Sequence, residues 1–151
     1  MLERAIEVAV VSHAGQVDKN GEPYILHPLR VLLAVRERSG TVAQQAAAVL
    51  HDVIEDCDVP DGFLEERFPA EVYDMVDALT HIDGEDYPTF LRRVAKTPSA
   101  LLVKEADIRD NHGRLNLVAD LAVRERLTAK YEGGLALLDE LRPALTTQPF
   151  D

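Results

Sequence analysis

Leu2, Ala5, Ile6, Ala9 and Val10 recur at i, i+3, i+4, i+7 and i+8, with Glu3, Arg4 and Glu7 between them. That spacing predicts an amphipathic helix that fades near Gly15. Residues 17–28 break the pattern with the longest polar, Pro/Gly-punctuated stretch of the N-terminal half. Asn20-Gly21 signals a turn, Pro28 suits the first turn of a helix over about 29–38, and Ser39-Gly40 ends it. Thr41 is an N-cap for an Ala-rich helix reaching about residue 56. Ala46, Ala47, Ala48, Val49 and Leu50 leave that helix so little polar face that it must be buried. Pro60 and Gly62 break it. Further helices are expected at 62–68, 69–82, 87–96, 99–112 and 117–141, with Pro69, Gly84, Pro98 and Gly113 as punctuation. Gly133-Gly134 inside the last pattern predicts a kink or break, since each glycine costs about 1 kcal/mol relative to alanine. No strand alternation, repeat or low-complexity tract intervenes, so the pattern predicts a single all-α domain over residues 1–151.

Composition narrows the function classes. The 151 residues carry 16 Lys+Arg against 27 Asp+Glu, a formal charge of −11. That acid excess argues against a nucleic-acid partner, whose phosphates call for clustered Lys and Arg. The apolar runs, such as 8–11 and 46–50, fall far short of the roughly 18 residues of a membrane span. Met-Leu-Glu-Arg lacks a basic n-region before an apolar core, so no secretory signal is expected. A single cysteine, Cys57, excludes an intrachain disulfide and suits a reducing cytoplasm.

The chemistry concentrates in His51-Asp52-Val53-Ile54-Glu55-Asp56, at the end of the Ala-rich helix. On a helix Glu55 lies over His51 and Asp56 over Asp52. Neighbouring acids repel, and a helix C-terminus is the wrong end of the macrodipole for anions. A divalent cation is one compensation; a solvated acidic helix end with a capping histidine is the other. A calcium loop fits poorly, because Asp56, Asp58 and Asp61-Gly62 approach its spacing with the glycine one residue late. His27, beside Pro28, offers a second imidazole. Asp107 sits in a strongly apolar helix where an inward carboxylate needs a partner, with Asn111 at i+4 on the same face. Two imidazoles and two carboxylates form an N/O set suited to Mn²⁺, Fe²⁺ or Zn²⁺ rather than Ca²⁺.

In chain order, His13-Ala14-Gly15-Gln16, Gly21-Glu22-Pro23-Tyr24-Ile25-Leu26-His27-Pro28, Leu50-His51-Asp52-Val53-Ile54-Glu55-Asp56, Val76-Asp77-Ala78-Leu79-Thr80 and Val103-Lys104-Glu105-Ala106-Asp107 with Asn111 resemble the HD superfamily of metal-dependent phosphohydrolases. The likeness spans roughly residues 1–115 and is greatest to the hydrolase domain of RelA/SpoT proteins and the stand-alone small alarmone hydrolases, which remove the 3′-pyrophosphate of (p)ppGpp. It implies an HD-type helical bundle, completed by helices over 117–141, and one divalent ion, Mn²⁺ first, on His27, His51, Asp52 and Asp107. It implies catalytic roles for Glu55 and Asp56 in aligning or deprotonating water, and substrate contacts at Lys19 and Asn111. Negative charge growing on phosphoryl oxygens calls for cations despite the acidic total. The candidates are Lys19, Lys104, Arg92 or Arg93, Arg109 and Arg114, with Tyr87 as a phosphate or base contact.

The pattern also departs from the family. Asp18-Lys19 stands where the alarmone hydrolases usually have Arg-Lys, and an aspartate supplies no planar cation to stack on guanine. Asp110 replaces the usual histidine before Asn111, and the segment from Gly84 to Arg93 is abbreviated. The expected function is therefore a metal-dependent nucleotide phosphohydrolase, with a (p)ppGpp-type 3′-pyrophosphate as first substrate. A nucleoside-monophosphate phosphatase or phosphodiesterase, or a non-catalytic metal- or nucleotide-binding regulatory module, are the alternatives. Structural roles are expected for His13, His81, His112 and Cys57. Leu127, Tyr131, Leu135, Leu138 and Leu141 are expected to form core or a homodimer face.

Overall fold

The computed structural model describes residues 1–142. Its helices are α1 (Leu2–Ser12), α2 (Leu26–Glu37), α3 (Val42–Leu50), α4 (Val53–Asp56), α5 (Ala70–Leu79), α6 (Tyr87–Val94), α7 (Leu101–Gly113) and α8 (Leu121–Leu141), with 3₁₀ turns at Pro98–Ala100 and Leu115–Leu117. Among the described residues the one β-type pairing is an isolated bridge between Val17 and Pro23. It pins the base of the 17–25 loop, whose turn runs through Gly21 at φ +80°.

The Ala-rich helix is the hub. Ala46, Ala47, Ala48, Val49 and Leu50 are fully buried, and their small side chains let α1, α2, α5 and α7 close on α3 from all sides. Thr41 caps its start as expected: the hydroxyl accepts from the Gln44 N–H while the Gln44 side chain accepts from the Thr41 N–H. α8 then lies across α6 and α7.

Several boundaries differ from the sequence pattern. The helix expected to run to residue 56 stops at Leu50, turns through His51 and Asp52, and resumes as α4. His51 Nδ1 donates to the Ala48 carbonyl at 2.8 Å, a local bond that competes with helix continuation. α2 starts at Leu26, so His27 and Pro28 lie inside its first turn rather than before it. Residues 62–68 form successive turns instead of a helix.

The Gly133-Gly134 pair does not break α8. A Cβ on Gly134 would stand 3.0 Å from Tyr87 Cε1 and 3.1 Å from its hydroxyl, so this glycine serves close packing of α8 on α6 rather than bending. Leu138 is buried, and Tyr131 and Leu135 pack against the core, which assigns those residues to the core.

Candidate metal centre

Four side chains from three places in the sequence meet at the centre. His27 comes from the first turn of α2, His51 and Asp52 from the break after α3, and Asp107 from the buried middle of α7. His51 Nε2 is 3.0 Å from Asp52 Oδ2 and 3.7 Å from Asp107 Oδ1. His27 Nε2 is 3.6 Å and 3.2 Å from the same two oxygens. His27, His51 and Asp107 are buried, and each offers a ligand atom within 4.8 Å of the other two. Ligands about 2.1 Å from a shared ion stand roughly 3.0–3.4 Å apart in octahedral or tetrahedral arrangements, so the spacing fits one small divalent cation.

The outer hydrogen bonds decide which ring nitrogens face inward. His51 Nδ1 meets a carbonyl oxygen and His27 Nδ1 meets Asp110 Oδ2 at 2.7 Å. Neither oxygen can donate, so both Nδ1 atoms carry a proton, and in the neutral rings both Nε2 lone pairs point at the carboxylates. His51 Nε2 is buried with no hydrogen-bond partner. A lone pair facing an anion in a buried place needs a positive charge between them, either a proton or a metal ion. Burial alone would lower the pKa of His51, but the neighbouring Asp52 and Asp107 carboxylates outweigh it and hold the imidazole well above its ordinary value. For His27 the same opposition ends in a rise, through Asp107 and Asp110. Burial opposes ionisation of Asp52 and Asp107, yet His51 brings the first down to about 2, and Lys104 with both imidazoles holds the second well below the carboxylate range. The donor set fits a divalent ion.

A second layer fixes this centre. Asp110 accepts from His27 and also from Arg30 Nε and Nη2 at 2.7 and 3.0 Å, the carboxylate–imidazole arrangement typical behind metal ligands. Lys104 Nζ donates to Asp107 Oδ2 at 2.8 Å, and the Asn111 amide donates to Asp107 Oδ1 at 2.7 Å. The Tyr24 hydroxyl reaches Asp52 Oδ2 at 2.7 Å and Asp56 Oδ2 at 3.0 Å. Burial and the charge of Asp52 push the Asp56 carboxyl up, against the pull of Tyr24. Glu55 is held by the backbone N–H of His81 at 3.0 Å.

Two cavities flank the centre and share His27 and Asn111. The smaller, about 500 Å³, is lined by Asp52, Glu55, Tyr87, Lys104, Asp107 and Lys130 among others. The larger, about 650 Å³, is lined by the apolar Leu115, Leu117, Val118 and Leu127 with Tyr131, and by the polar Asp18, Lys19, Arg30 and Arg114 among others. Asp18 is anchored by the backbone N–H groups of Asn20 and Glu22 and ion-pairs with Arg114 at 3.5 Å. The guanidinium beside position 18 is thus that of Arg114.

Of the residues expected from the sequence, His27, His51, Asp52, Glu55, Lys104, Asp107, Asn111 and Tyr87 gather at the centre or the smaller cavity, and Lys19 lines the larger. Asp56 lies beside the centre through Tyr24. Arg92 is exposed and lines neither cavity. Arg93 donates to Glu85 and to the Ala78 and Thr80 carbonyls, and Arg109 pairs with Glu105; both serve the scaffold. His13 is buried, 2.8 Å from Gln16 and tilted against the Tyr24 ring, and its own ring lies 3.4 Å from Cys57 Sγ. Sequence reasoning missed Tyr24, Arg30, Asp110 and Lys130. Asp110 had a signal, standing three residues after Asp107 on the same helical face.

Comparison with known proteins places the chain in a family. An HD domain family profile matches residues 5–108. The chain belongs to the HD domain family. It is 36% identical over 118 residues to the guanosine-3′,5′-bis(diphosphate) 3′-pyrophosphohydrolase of Aquifex aeolicus, covering 73% of this chain and 17% of that protein. It is 35% identical over 116 residues to the probable GTP pyrophosphokinase of Mycobacterium leprae, covering 71% and 15%. The chain therefore spans about one sixth of the length of these relatives. A solved structure, described as a metazoan ortholog of SpoT that hydrolyzes ppGpp and plays a role in starvation responses, aligns with TM-score 0.75 at 23% identity. It covers 93% of this chain and 92% of that one, a likeness of fold.

Proposed function

We propose that this HD domain is a metal-dependent phosphohydrolase acting on a guanosine nucleotide with a 3′-pyrophosphate. His27, His51, Asp52 and Asp107 would hold one divalent ion, with Mn²⁺ as first choice from the mixed N/O donor set. The observation that carries the reading is the buried, partnerless His51 Nε2 facing two carboxylates where two cavities meet. The names of the Aquifex and metazoan relatives point to the same substrate.

When bound, a divalent ion supplies a Lewis-acid contact to phosphoryl oxygen and acidifies water toward neutral pH. The chain's own groups do the rest. Glu55 opens on the smaller cavity with its carboxylate fixed by the His81 N–H, and it is the base that takes a proton from the attacking water. Asp56, tied to Asp52 through Tyr24, holds the geometry of the pair. Lys104 lines the smaller cavity beside Asp107 and offsets charge that grows on phosphoryl oxygen. The larger cavity would take the nucleoside, with Lys19 in its lining and Asn111 bonded to Asp107 at the centre. Such a nucleotide places the work in the cytoplasm.

One feature favours a second reading of the base. Asp18 and Arg114 neutralise each other in the larger cavity, and Arg30 of the same cavity is paired with Asp110, which leaves neither guanidinium free to stack on guanine. A broader nucleotide phosphohydrolase follows from that pairing. A panel of adenine and guanine nucleotides, with and without 3′-phosphates, in the presence of Mn²⁺ tests both readings. Release of pyrophosphate from the 3′-pyrophosphorylated guanosine substrate is expected. Equal turnover of the adenine analogue would establish the broader reading, and no phosphate or pyrophosphate release from any member would overturn both.

A further inference from the structure

Lys130 lies on α8, beyond the residues matched to the HD family, yet it lines the smaller cavity together with Lys104, Tyr87 and Glu55. Its ammonium sits 4.5 Å from the centroid of the Tyr87 ring. Lys104 is seated in the same manner, 4.7 Å from the centroid of Phe90, and the two rings are 6.4 Å apart. Two ammonium groups thus stand on neighbouring aromatic faces at the wall of one chamber.

Their partners differ. Lys104 donates to Asp107, whereas among the described residues Lys130 makes no ion pair with a carboxylate. In a chain with eleven more acids than bases, Lys130 and Lys19 are, among the described residues, the two cavity-lining cations that make no ion pair, and Lys130 is the one in the smaller cavity. Lys130 is exposed yet partly desolvated; that desolvation first, then the positive charges of Lys104, Lys19 and Arg126, lower its proton affinity, with Asp107 opposing. Of these cations Lys104 shares the smaller cavity with Lys130, opposite in charge to Asp52, Glu55 and Asp107 of the same lining, and an entering anion would meet both ammonium groups. Gly134, one turn further along α8, is what lets the Tyr87 ring lie so close beneath this stretch of helix.

We propose that Lys130, seated on Tyr87, binds a second phosphoryl group of the substrate, one beyond the group that approaches the metal centre. The site is thereby selective for substrates that yield pyrophosphate over those that yield phosphate. This rests on the phosphohydrolase reading above. In the reaction water adds to phosphorus, the bond from that phosphorus to the sugar oxygen breaks, the sugar oxygen takes up a proton, and pyrophosphate is released. Lys130 forms no covalent bond and contributes charge-assisted hydrogen bonds to the outer phosphoryl oxygens.

Calorimetric titration of the full chain, loaded with Mn²⁺ and freed of excess metal, with inorganic pyrophosphate and with orthophosphate tests this. Lys130→Gln should weaken pyrophosphate binding about tenfold or more while changing orthophosphate binding less than about twofold. Lys130→Arg should recover most of the loss. Pyrophosphate affinity unchanged in Lys130→Gln, or equal losses for both anions, would overturn the proposal. Lys130 is exposed enough for the variant to fold, and an unchanged melting temperature checks this. The two readings fail separately. Pyrophosphate binding that depends on Lys130 in a protein that turns over no nucleotide refutes the hydrolase reading alone, and nucleotide turnover with pyrophosphate affinity indifferent to Lys130 refutes this one alone.

Discussion

At the residue scale the centre is a problem of proton placement. Each imidazole has its outer nitrogen committed to an oxygen, Ala48 O for His51 and Asp110 Oδ2 for His27, so each inner nitrogen is left to a metal or to a proton. The side chains that meet at the centre were legible in the sequence as candidates, because His51-Asp52 and Asp107 are out of place in apolar helices. Their orienting partners were less so. Asp110 read as a departure from the family pattern, and only the fold brings α2 against α7 so that it meets His27 and Arg30. Its role is testable. Asp110→Ala should weaken metal affinity about 10- to 100-fold by freeing the His27 ring, while Asp110→Asn, which can still accept from Nδ1, should lose less. Competition with a chelating dye measures both, and an Ala variant that binds as wild type would remove Asp110 from the account.

At the element scale the site depends on a helix that stops and a helix that does not. The 3.6-residue pattern ran without interruption to Asp56, since nothing in Ala-Ala-Ala-Val-Leu-His-Asp signals a stop; the end of α3 is set by the His51–Ala48 bond and by what His51 faces. Conversely, Gly133-Gly134 suggests a kink or break, yet α8 runs on through both, and at Gly134 Tyr87 fills the space a side chain would take. α7 carries Asp107 inward, and two residues earlier it is gripped by a second cluster: Glu105 receives Arg38 from the end of α2, Arg109 from α7 and Arg142 from beyond α8. Burial alone would raise the Glu105 pKa, but these guanidinium groups bring it down to about 2 from an ordinary 4.5. A carboxylate whose pKa is depressed on folding contributes stability above its unfolded pKa and loses it as pH falls through the folded one. Glu105→Gln should therefore cost on the order of 2 kcal/mol at pH 7, discounted for the partly exposed arginines. The gap from wild type should close between about pH 4.5 and 2 in urea melts. A gap that stays constant over that range would show that charge pairing is not what Glu105 contributes.

At the scale of the whole molecule, burial of α3 was predictable from its alanines, and the all-α class from periodicity. What no local pattern carries is the meeting of the two cavities at His27 and Asn111, because it depends on how α8 closes over α6 and α7. Lys130, Arg114 and the apolar lining of the larger cavity all come from, or near, that C-terminal part. The acidic total is likewise no guide to the site: Lys19, Lys104, Lys130 and Arg114 face the cavities while the acid excess lies elsewhere. The central claim is that His27, His51, Asp52 and Asp107 share one ion. Metal analysis of the purified chain, after incubation with Mn²⁺ and removal of unbound ion, tests it most directly. One ion per chain is predicted for the wild type and almost none for Asp107→Ala or His51→Ala variants that remain helical; a wild type that emerges metal-free, or variants that retain the ion, would contradict it.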